Sequence, residues 1–377
     1  MKNVELYERY QRQIILFGEE GQQNLLRAKV LVIGAGGLGC PVLQYLAAAG
    51  VGTIGIVDDD VVELNNLHRQ VLYSVKDIGL SKADTASQVL RELNPEIKII
   101  SYSERLTTQN AFAIIDQFEI VIDGTDNFST RYMINDACVL LNKPLVYGAI
   151  SQHEGQIALF NFRKNINDPA ANYRDIFPYP PKEDEVLNCA EAGVLGALTG
   201  IIGCMLASET IKLITGIGEP LANQLLTYSA LNNQVSLFKL SPAKENRRLI
   251  PKDEAEFLKT DYAWLCSEPS QDIEIDFHTF NNLIQKGNAD VIDVREPNEI
   301  PVVYEFSDIN IPLAQLADNS FRMKCDTFIA FCQTGNRSLH AAKILKKIFG
   351  ENKKIYSLPG GILGWKSGIN HHERKKA

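Results

Sequence analysis

The chain reads KVLVIGAGGLG from residue 29 to residue 39, an apolar run that passes directly into a glycine-rich turn. An apolar helical stretch, Leu38–Gly50, comes next, and Thr53–Val57 predicts a second strand that ends at Asp58. Glycines spaced as Gly-x-Gly-x-x-Gly between a strand and a helix are typical of a turn whose backbone N–H groups bind phosphate. The carboxylate of Asp58 is then placed to accept hydrogen bonds from a ribose.

Strands and helices continue to alternate up to residue 150. Helices are predicted over Ser81–Leu93, near Gln109–Asp116 and over Asn127–Leu141, and strands over Ile97–Ser101, Ile120–Asp123 and Leu145–Ile150. This alternation predicts a parallel sheet covered on both faces, which is a Rossmann-like, doubly wound α/β fold. Later strands predict an antiparallel extension of that sheet, over Gly155–Phe162, Gln224–Ser229 and Gln234–Lys239.

The length of 377 residues suggests two or three domains. We assign residues 1–240 to a nucleotide-binding domain, 241–274 to a linker and 275–377 to a small C-terminal α/β domain, in which strands and helices alternate again. The linker is predicted because residues 241–259 are charged and only weakly periodic. The small apolar residues of Gly193–Ile214 predict a buried helix or a helix packed against a second subunit.

Composition narrows the class of protein. Residues 1–240 contain 19 Lys/Arg and 27 Asp/Glu, so this part carries the whole net charge of −8 and gives no basic footprint for nucleic acid. No run approaches the ~20 apolar residues of a membrane span, and the charged start is unlike a signal peptide. We therefore expect a cytoplasmic protein without a membrane partner. The seven scattered cysteines never form Cys-x-x-Cys, which argues against a zinc knuckle or a disulfide framework.

The glycine turn and Asp58 alone fit an NAD or FAD oxidoreductase as well as an ATP-using enzyme. Cations near the turn in the sequence favour ATP, because negative charge builds on the α-phosphate and on departing pyrophosphate during phosphate-bond chemistry. The candidates are Arg12, Arg69 and Lys82. Asp126 adds a carboxylate that can hold Mg²⁺.

Five runs resemble, in chain order, the MoeB/ThiF (HesA) adenylyltransferase family, bacterial relatives of the ubiquitin-activating enzymes. They are Arg9-Tyr-x-Arg12-Gln, Gly34-x-Gly-Gly37-Leu-Gly, Asn66-Leu-His-Arg69-Gln, Gly79-x-x-Lys82-Ala and Asp123-Gly-Thr-Asp126-Asn127. The resemblance covers about residues 5–240 and implies ATP and Mg²⁺ as cofactors.

The resemblance also implies a role for each matching residue. Gly37 would lie against the ATP phosphates, Asp58 would bind the ribose, and Asp126 would bind Mg²⁺. Asn66, Arg69 and Lys82 would hold the phosphate chain, and Arg12 would reach across a homodimer interface into the partner's site. The ATP-binding residues would be Gly37, Asp58, Asn65, Asn66, Leu67, His68, Arg69, Lys82, Asp126 and Asn127. Taken singly, Arg12 fits a surface helix residue, Lys82 a helix-start lysine and Asn127 a helix cap.

The chain can be compared with the same family at its zinc-binding cysteine pairs and at Cys189. Its members commonly carry two Cys-x-x-Cys pairs that bind zinc, whereas the first position here reads Asn172-Tyr-Arg-Asp175 and the second, around Ser241–Arg248, has no cysteine. We therefore expect no structural zinc. Cys189 lies in a segment that resembles the one bearing a proposed acyl-accepting cysteine. A covalent role and a half-buried structural cysteine both remain open for Cys189.

A second candidate site follows the predicted strand Phe328–Phe331. Cys332 opens the loop CQTGNRS before a helix, where loop N–H groups, the helix dipole and Arg337 would stabilise a thiolate. We interpret Cys332 as a nucleophile or persulfide carrier rather than a core residue. The loop with Cys332, Gly335 and Arg337 resembles that of rhodaneses, as do VIDVRE at 291–296, INIPL at 309–313 and GGI-x-GW at 360–365.

Two further interpretations concern this domain. Asp293 and Arg295 favour a structural ion pair. A protein phosphatase of the same fold is disfavoured, because phosphatases place five residues between cysteine and arginine to enclose phosphate, whereas four separate Cys332 from Arg337. Sulfur transfer is the better interpretation.

Together the two resemblances imply ATP-dependent adenylation of the C-terminal glycine of a ubiquitin-like sulfur-carrier protein ending in Gly-Gly. A Cys332 persulfide, loaded by a donor such as a cysteine desulfurase, would then convert the adenylate into a thiocarboxylate. Molybdopterin synthesis is the favoured pathway, since molybdopterin-synthase adenylyltransferases with a rhodanese tail share this arrangement. Thiamine thiazole synthesis and tRNA thiolation remain open.

Overall fold

A computed structural model describes the chain in two units, residues 1–266 and 267–377, each with its own sheet. The residues described are 2–163, 165, 169–180, 193–243, 245–262, 273–302, 306, 309–318, 324–333, 335–350, 353–362 and 364–365. For residues 2–7, 317–318 and Asn336 the description is confined to the backbone.

The first unit is built on eight strands among its described residues. They are β1 Lys29–Ile33, β2 Thr53–Val57, β3 Lys98–Tyr102, β4 Ile120–Asp123, β5 Leu145–Ser151, β6 Glu154–Phe160, β7 Gln224–Ser229 and β8 Gln234–Lys239. The order across the sheet is β3-β2-β1-β4-β5-β6-β7-β8. Pairs from β3 to β5 are parallel and pairs from β5 to β8 are antiparallel, which confirms the predicted sheet and its extension.

The helices described in this unit are α1 Lys2–Arg27, α2 Gly39–Ala49, α3 Lys82–Leu93, α4 Thr108–Ile115, α5 Phe128–Leu140, α6 Tyr173–Ile176, α7 Gly196–Thr215 and α8 Glu254–Lys259. Four of them, α2 to α5, fill the crossovers between the parallel strands, and the others precede or follow that part of the chain. Helix α1 is broken at Phe17–Gly18, where the backbone leaves helical geometry. The alternation confirms the doubly wound architecture.

Strand register brings three chain segments to one edge of the sheet. Ile33 at the end of β1 lies opposite Val57 of β2 on one side and Asp123 of β4 on the other. The chain leaves β1 toward β2 and β3, and β4 and β5 lie on the opposite side. Ligands bind at such a switch point, outside the carboxyl ends of the strands.

Helix α7 packs against the sheet at β5 and β6. Leu198, Ile202 and Leu206 are fully buried, and a Cβ on Gly155 would lie 2.3 Å from the Ile202 side chain. By length and composition α7 is the one described helix that passes as a candidate membrane span. The buried face is that of a core helix. A buried helix was one of the two predictions for residues 193–214, the other being a helix packed against a second subunit.

Residues 241–262 differ from the predicted linker, because their described part packs onto the first unit. Phe257 of α8 is fully buried, with its ring centroid 4.8 Å from that of Phe112. The Tyr262 hydroxyl donates to Asp136 at 2.9 Å, and Asp136 also accepts two hydrogen bonds from Arg174 at 2.8 and 2.7 Å. The buried cluster Asp136–Arg174–Tyr262 therefore extends the first unit past residue 240.

The second unit contains a four-stranded parallel sheet among its described residues. The strands are β9 Asp290–Asp293, β10 Ile309–Asn310, β11 Thr327–Phe331 and β12 Lys354–Ser357, in the order β10-β9-β11-β12. Helices α9, Phe277–Gln285, and α10, Asn336–Phe349, accompany the sheet. This confirms the predicted small α/β domain.

Candidate functional site

The glycine-rich turn after β1 needs its glycines for close backbone approach. Gly34 has a φ of +93°, and a Cβ there would lie 2.9 Å from the carbonyl oxygen of Gly124. A Cβ on Gly39 would lie 1.9 Å from the carbonyl oxygen of Gly34. The turn therefore stays narrow and leads into α2, whose first N–H groups have no intrahelical acceptors and favour an anion.

A cavity of about 370 Å³ lies at the ends of β1, β2 and β4. Six of the residues predicted to bind ATP line it, namely Gly37, Asp58, Arg69, Lys82, Asp126 and Asn127. The cavity thus joins side chains from distant parts of the sequence around the glycine turn, which is the arrangement a nucleotide triphosphate needs.

Asp58 binds the turn itself. One carboxylate oxygen accepts from the Ala35 N–H at 2.7 Å and the other from the Asp60 N–H at 2.9 Å. Burial raises the pKa of Asp58 above its ordinary value, while the hydrogen bond from Ala35 and the Lys82 charge oppose that shift. Each oxygen keeps a second lone pair with which to accept from a ribose hydroxyl.

The two predicted phosphate-binding cations are both held in place by neighbouring groups. The Lys82 ammonium lies 2.8 Å from the Asp60 carboxylate, and the Lys82 residue is only 5% exposed. Arg69 donates to the carbonyl oxygen of Asn65 at 2.9 Å and lies 2.8 Å from the His68 ring. Both side chains remain in the cavity lining, so phosphate oxygens can take up their remaining donors.

The other predicted residues of this segment stand behind Arg69 rather than in the cavity lining. Asn65, Asn66, Leu67 and His68 are absent from the described lining residues, and the first two belong to a 3₁₀ turn over Leu64–Asn66. Asn66 is buried and donates to the Asn65 side chain at 2.6 Å. Asn65 and His68 contact the Arg69 side chain, and the Asn66 carbonyl oxygen accepts from the Arg69 N–H at 3.0 Å, so these three hold Arg69. The predicted ATP contacts of all four stay a prediction.

Asp126 and Asn127 lie where β4 passes into α5. Asn127 caps α5, since its side chain accepts from the Thr130 N–H at 2.9 Å. Asp126 is exposed at the cavity. No group of three or more His, Cys, Asp or Glu side chains able to hold a metal occurs among the described residues. Mg²⁺ at nucleotides is commonly held by one or two carboxylates and phosphate oxygens, so Asp126 fits that metal.

Gln70 and Arg131 are among the cavity residues that the sequence did not predict. Gln70 is 4% exposed, and its carbonyl oxygen Oε1 has no hydrogen-bond partner. Arg131 donates to the carbonyl oxygen of Thr125 at 2.7 Å, and its charge counteracts the burial that raises the pKa of Asp123. Arg131 follows Asn127 by four residues, a helical spacing that puts both on one face of α5 and could have revealed it.

Two predicted catalytic residues, Arg12 and Cys189, are not among the described residues that line this cavity. Arg12 is exposed on α1 and does not line the cavity of its own chain, so its role across a dimer interface stays a prediction. Cys189 lies outside the described residues. Residues 172–175, which stand where the family commonly has its first zinc-binding cysteine pair, supply Arg174 to the cluster Asp136–Arg174–Tyr262.

Cys332 directly follows β11 at the second site. Its Sγ accepts a hydrogen bond from the Gly335 N–H at 3.1 Å, and Gly335 has a φ of +103°. The residue is 0% exposed and belongs to the hydrophobic core of the second unit, whereas the sequence interpretation made it a nucleophile or persulfide carrier rather than a core residue. The burial comes from an apolar cluster that Cys332 shares with Ile292 of β9, Ala341 of α10 and Ile355 of β12.

The arginines near this loop are paired with carboxylates. Arg337 makes two hydrogen bonds to Glu299, at 2.5 and 2.7 Å, and this pairing lowers the pKa of Glu299. Asp293 and Arg295 form the ion pair favoured from the sequence, at 2.8 Å. Arg295 also donates to the Gln333 side chain at 3.1 Å and so anchors the loop.

Comparisons with known proteins cover both units. Residues 10–249 match the ThiF family, and residues 276–368 match the rhodanese-like domain. The chain is 49% identical to the sulfur carrier protein adenylyltransferase of Thermus thermophilus over 249 residues, which cover 66% of this chain and 91% of that protein. It is 37% identical to the adenylyltransferase and sulfurtransferase MOCS3 of Aedes aegypti, over 96% of this chain and 87% of that one.

Solved structures show the same fold in the first unit. The crystal structure of E. coli MccB with ATP superimposes with a TM-score of 0.54 and 21% identity, over 63% of this chain and 72% of that chain. The structure of MccB with AMPCPP and MccA gives a TM-score of 0.54 at 22% identity.

Proposed function

The chain belongs to the ThiF family and ends in a rhodanese-like domain, and on that premise we propose that it converts a ubiquitin-like sulfur carrier into its thiocarboxylate. It is an adenylyltransferase with a sulfurtransferase domain. The observation that supports the adenylation step most is the cavity that places Asp58, Arg69, Lys82 and Asp126 around the glycine turn.

In the first step the carrier's C-terminal carboxylate attacks the α-phosphorus of ATP. A bond forms between the carboxylate oxygen and the α-phosphorus, the bond to the bridging oxygen breaks, and pyrophosphate leaves. The carboxylate is already ionised, so no enzyme base is required, and catalysis consists of positioning and charge neutralisation. Lys82 and Arg69 hold the phosphate oxygens, and Asp58 holds the ribose.

Mg²⁺, when bound at Asp126 and the phosphates, supplies further neutralisation of the phosphate charge. The Asn127 cap fixes the start of α5 and therefore the position of Asp126 beside it. We also propose that the chain acts as a homodimer in which Arg12 completes the partner's site.

In the second step the Cys332 thiolate attacks the outer sulfur of a donor persulfide, so an S–S bond forms at Sγ and the donor leaves as a thiolate. The terminal sulfur on Cys332 then attacks the carbonyl carbon of the adenylate, and AMP leaves. The product is an acyl disulfide between carrier and Cys332. Two equivalents of an external thiol reduce it to the thiocarboxylate, the free Cys332 thiol and an external disulfide.

We propose a carrier of the molybdopterin-synthase type and a cysteine desulfurase as the sulfur donor. Support for this pathway comes from the order of the two domains, which resembles molybdopterin-synthase adenylyltransferases with a rhodanese tail. Carriers for thiamine thiazole synthesis and for tRNA thiolation use the same chemistry, and the experiment below separates the three.

The test is ATP–pyrophosphate exchange by the full chain with Mg²⁺ and one candidate carrier at a time. We expect exchange with the molybdopterin-type carrier and none with the same carrier lacking its final glycine. Exchange confined to a thiamine-type or tRNA-type carrier would contradict the proposed molybdopterin pathway but would support the proposed adenylation reaction. Absence of exchange with every carrier would refute the adenylation step.

A further inference from the structure

Two buried serine hydroxyls lie beneath the Cys332 thiol and are not used in the reaction described so far. Ser338 lies in the first turn of α10 and Ser357 ends β12, and both are 0% exposed. Ser357 Oγ donates to Ser338 Oγ at 2.9 Å, and Cys332 Sγ lies 3.7 Å from Ser338 Oγ. Buried hydroxyls are costly unless bonded, and this pair is bonded in a chain that ends at the sulfur.

The bonds of the neutral thiol can be counted. The Ser338 hydroxyl donates its one proton to the Gly335 carbonyl oxygen at 2.7 Å. It accepts from Ser357 and from the thiol of Cys332. In this state the sulfur is a donor to Ser338 and an acceptor from the Gly335 N–H at 3.1 Å.

When the thiol loses its proton, the sulfur can no longer donate to Ser338 and needs a donor there instead, because a thiolate can only accept hydrogen bonds. The Ser338 O–H can then turn from the Gly335 carbonyl oxygen to Sγ by rotation of the hydroxyl alone. The abandoned carbonyl oxygen keeps a partner, since it also accepts from the Leu339 N–H at 3.0 Å. Ser338 continues to accept from Ser357, so every group stays bonded in the thiolate state.

The charged side chains that the described elements bring to this loop are paired with one another. Arg337 from α10 is bound by Glu299, and Arg295, which follows β9, is bound by Asp293. Neutral hydrogen-bond donors close to the sulfur therefore contribute more to stabilising the thiolate than they would if an arginine without a carboxylate partner lay beside it.

We propose that Ser338 is a catalytic residue of sulfur transfer, which donates a hydrogen bond to the Cys332 thiolate, and that Ser357 is its positioning residue. The inference rests on the proposed function of Cys332. In the step it serves, the thiol proton leaves to solvent and the sulfur lone pair forms the new S–S bond. The donor's S–S bond breaks with its electrons on the departing group, and Ser338 keeps its proton throughout.

The test uses the full chain and the variants Ser338→Ala, Ser357→Ala and Ser338→Thr. The rate of alkylation of Cys332 by iodoacetamide is followed against pH by peptide mass spectrometry, together with persulfide formation from thiosulfate. For S338A we expect about tenfold slower alkylation on the acidic side and a profile displaced to higher pH, because a hydrogen bond to a charged group is lost. S357A should displace the alkylation profile to higher pH by a smaller amount. S338T, which keeps a hydroxyl, should restore the wild-type profile.

Thr327→Val serves as the matched control, because Thr327 is a buried hydroxyl residue at the opposite end of β11. An S338A profile that coincides with the wild type would overturn the inference. If S338A does not fold, as judged by thermal unfolding, an unshifted S357A profile does the same. A wild-type chain that alkylates normally but takes no sulfur at Cys332 would instead count against the proposed function.

Discussion

The two units use the same local design for opposite purposes. In each, a parallel strand ends in a loop that opens a helix, with Gly34–Leu38 after β1 and Cys332–Gly335 after β11. The first loop borders a cavity of about 370 Å³ lined by Arg69 and Lys82. The second encloses its own sulfur, which is 0% exposed and accepts a backbone N–H.

The difference shows that a strand–loop–helix junction does not determine the anion it serves. Glycine at the junction leaves room for the phosphate of a bound ligand. Cysteine at the junction supplies a thiolate, so the anion is a side chain of the protein. A cation at each site is paired with a carboxylate, Lys82 with Asp60 and Arg337 with Glu299, but Lys82 also lines the cavity.

The largest effect should come from separating the two sites by mutation. Asp126→Ala is expected to lower ATP–pyrophosphate exchange by on the order of 100-fold or more, because charge neutralisation at the phosphates is lost. The same variant should load persulfide at Cys332 at the wild-type rate. Cys332→Ser should show the reverse pattern, and a chain in which either substitution impairs both reactions would contradict two independent chemistries.

The glycine turn offers the next test. Gly39→Ala should abolish ATP binding, because the added Cβ would meet the Gly34 carbonyl oxygen at 1.9 Å. Gly200→Ala on α7 is the control, since nothing lies within 4 Å of a Cβ there. Binding is measured as the rise in unfolding temperature with ATP. Retention of that rise in G39A would refute the assigned phosphate turn.

The ion pair at the second loop should give a smaller, pH-dependent effect. Arg337 lowers the pKa of Glu299, so the stability that the pair provides is present above the ordinary glutamate value of 4.5 and is lost as the pH falls through the lowered one. Glu299→Gln should therefore destabilise the second unit by about 1 kcal/mol at neutral pH and converge with the wild type in acid.

Denaturant unfolding at several pH values measures this difference. Asp326→Asn is the control, because the Lys353 partner also lowers the pKa of Asp326 but the pair is exposed at the opposite end of β11. A constant difference between E299Q and the wild type from neutral to acid pH would argue against the pair as its source.

The smallest effect is expected at the cap of α5. Asn127→Ala removes the acceptor for the Thr130 N–H and should cost about 1 kcal/mol of stability. Asn127→Asp keeps a capping oxygen and should retain that stability. Because the cap adjoins Asp126, the alanine variant should also raise the KM for ATP, and an unchanged KM would separate the cap from the nucleotide site.

The sequence predicted the structure best where a functional residue lies within a local sequence pattern. Strand β1, the glycine turn and Asp58 were predictable because a β-rich run, tight-turn glycines and an acidic strand end are all local signals. The cavity residues Gln70 and Arg131 were missed although each lies close along the chain to a predicted residue, Arg69 and Asn127, because only the folded chain shows that their side chains line the cavity.

Tertiary packing accounts for the remaining differences. The burial of Cys332 depends on Ile292, Ala341 and Ile355, which β9, α10 and β12 bring around it from distant parts of the chain. The order in residues 241–262 depends on Phe257 and Tyr262, two aromatic residues in a charged stretch whose partners belong to α4 and α5. Neither contact leaves a periodic signal in the sequence.

The buried cluster Asp136–Arg174–Tyr262 limits where this protein can be recombined with others. A gene fusion that joined a foreign module after residue 240 would leave Asp136 without the Tyr262 hydroxyl and uncover the pocket of Phe257. A splice after residue 262 keeps both. The unit that evolution or an engineer can exchange intact is therefore longer than the segment that contains the nucleotide site.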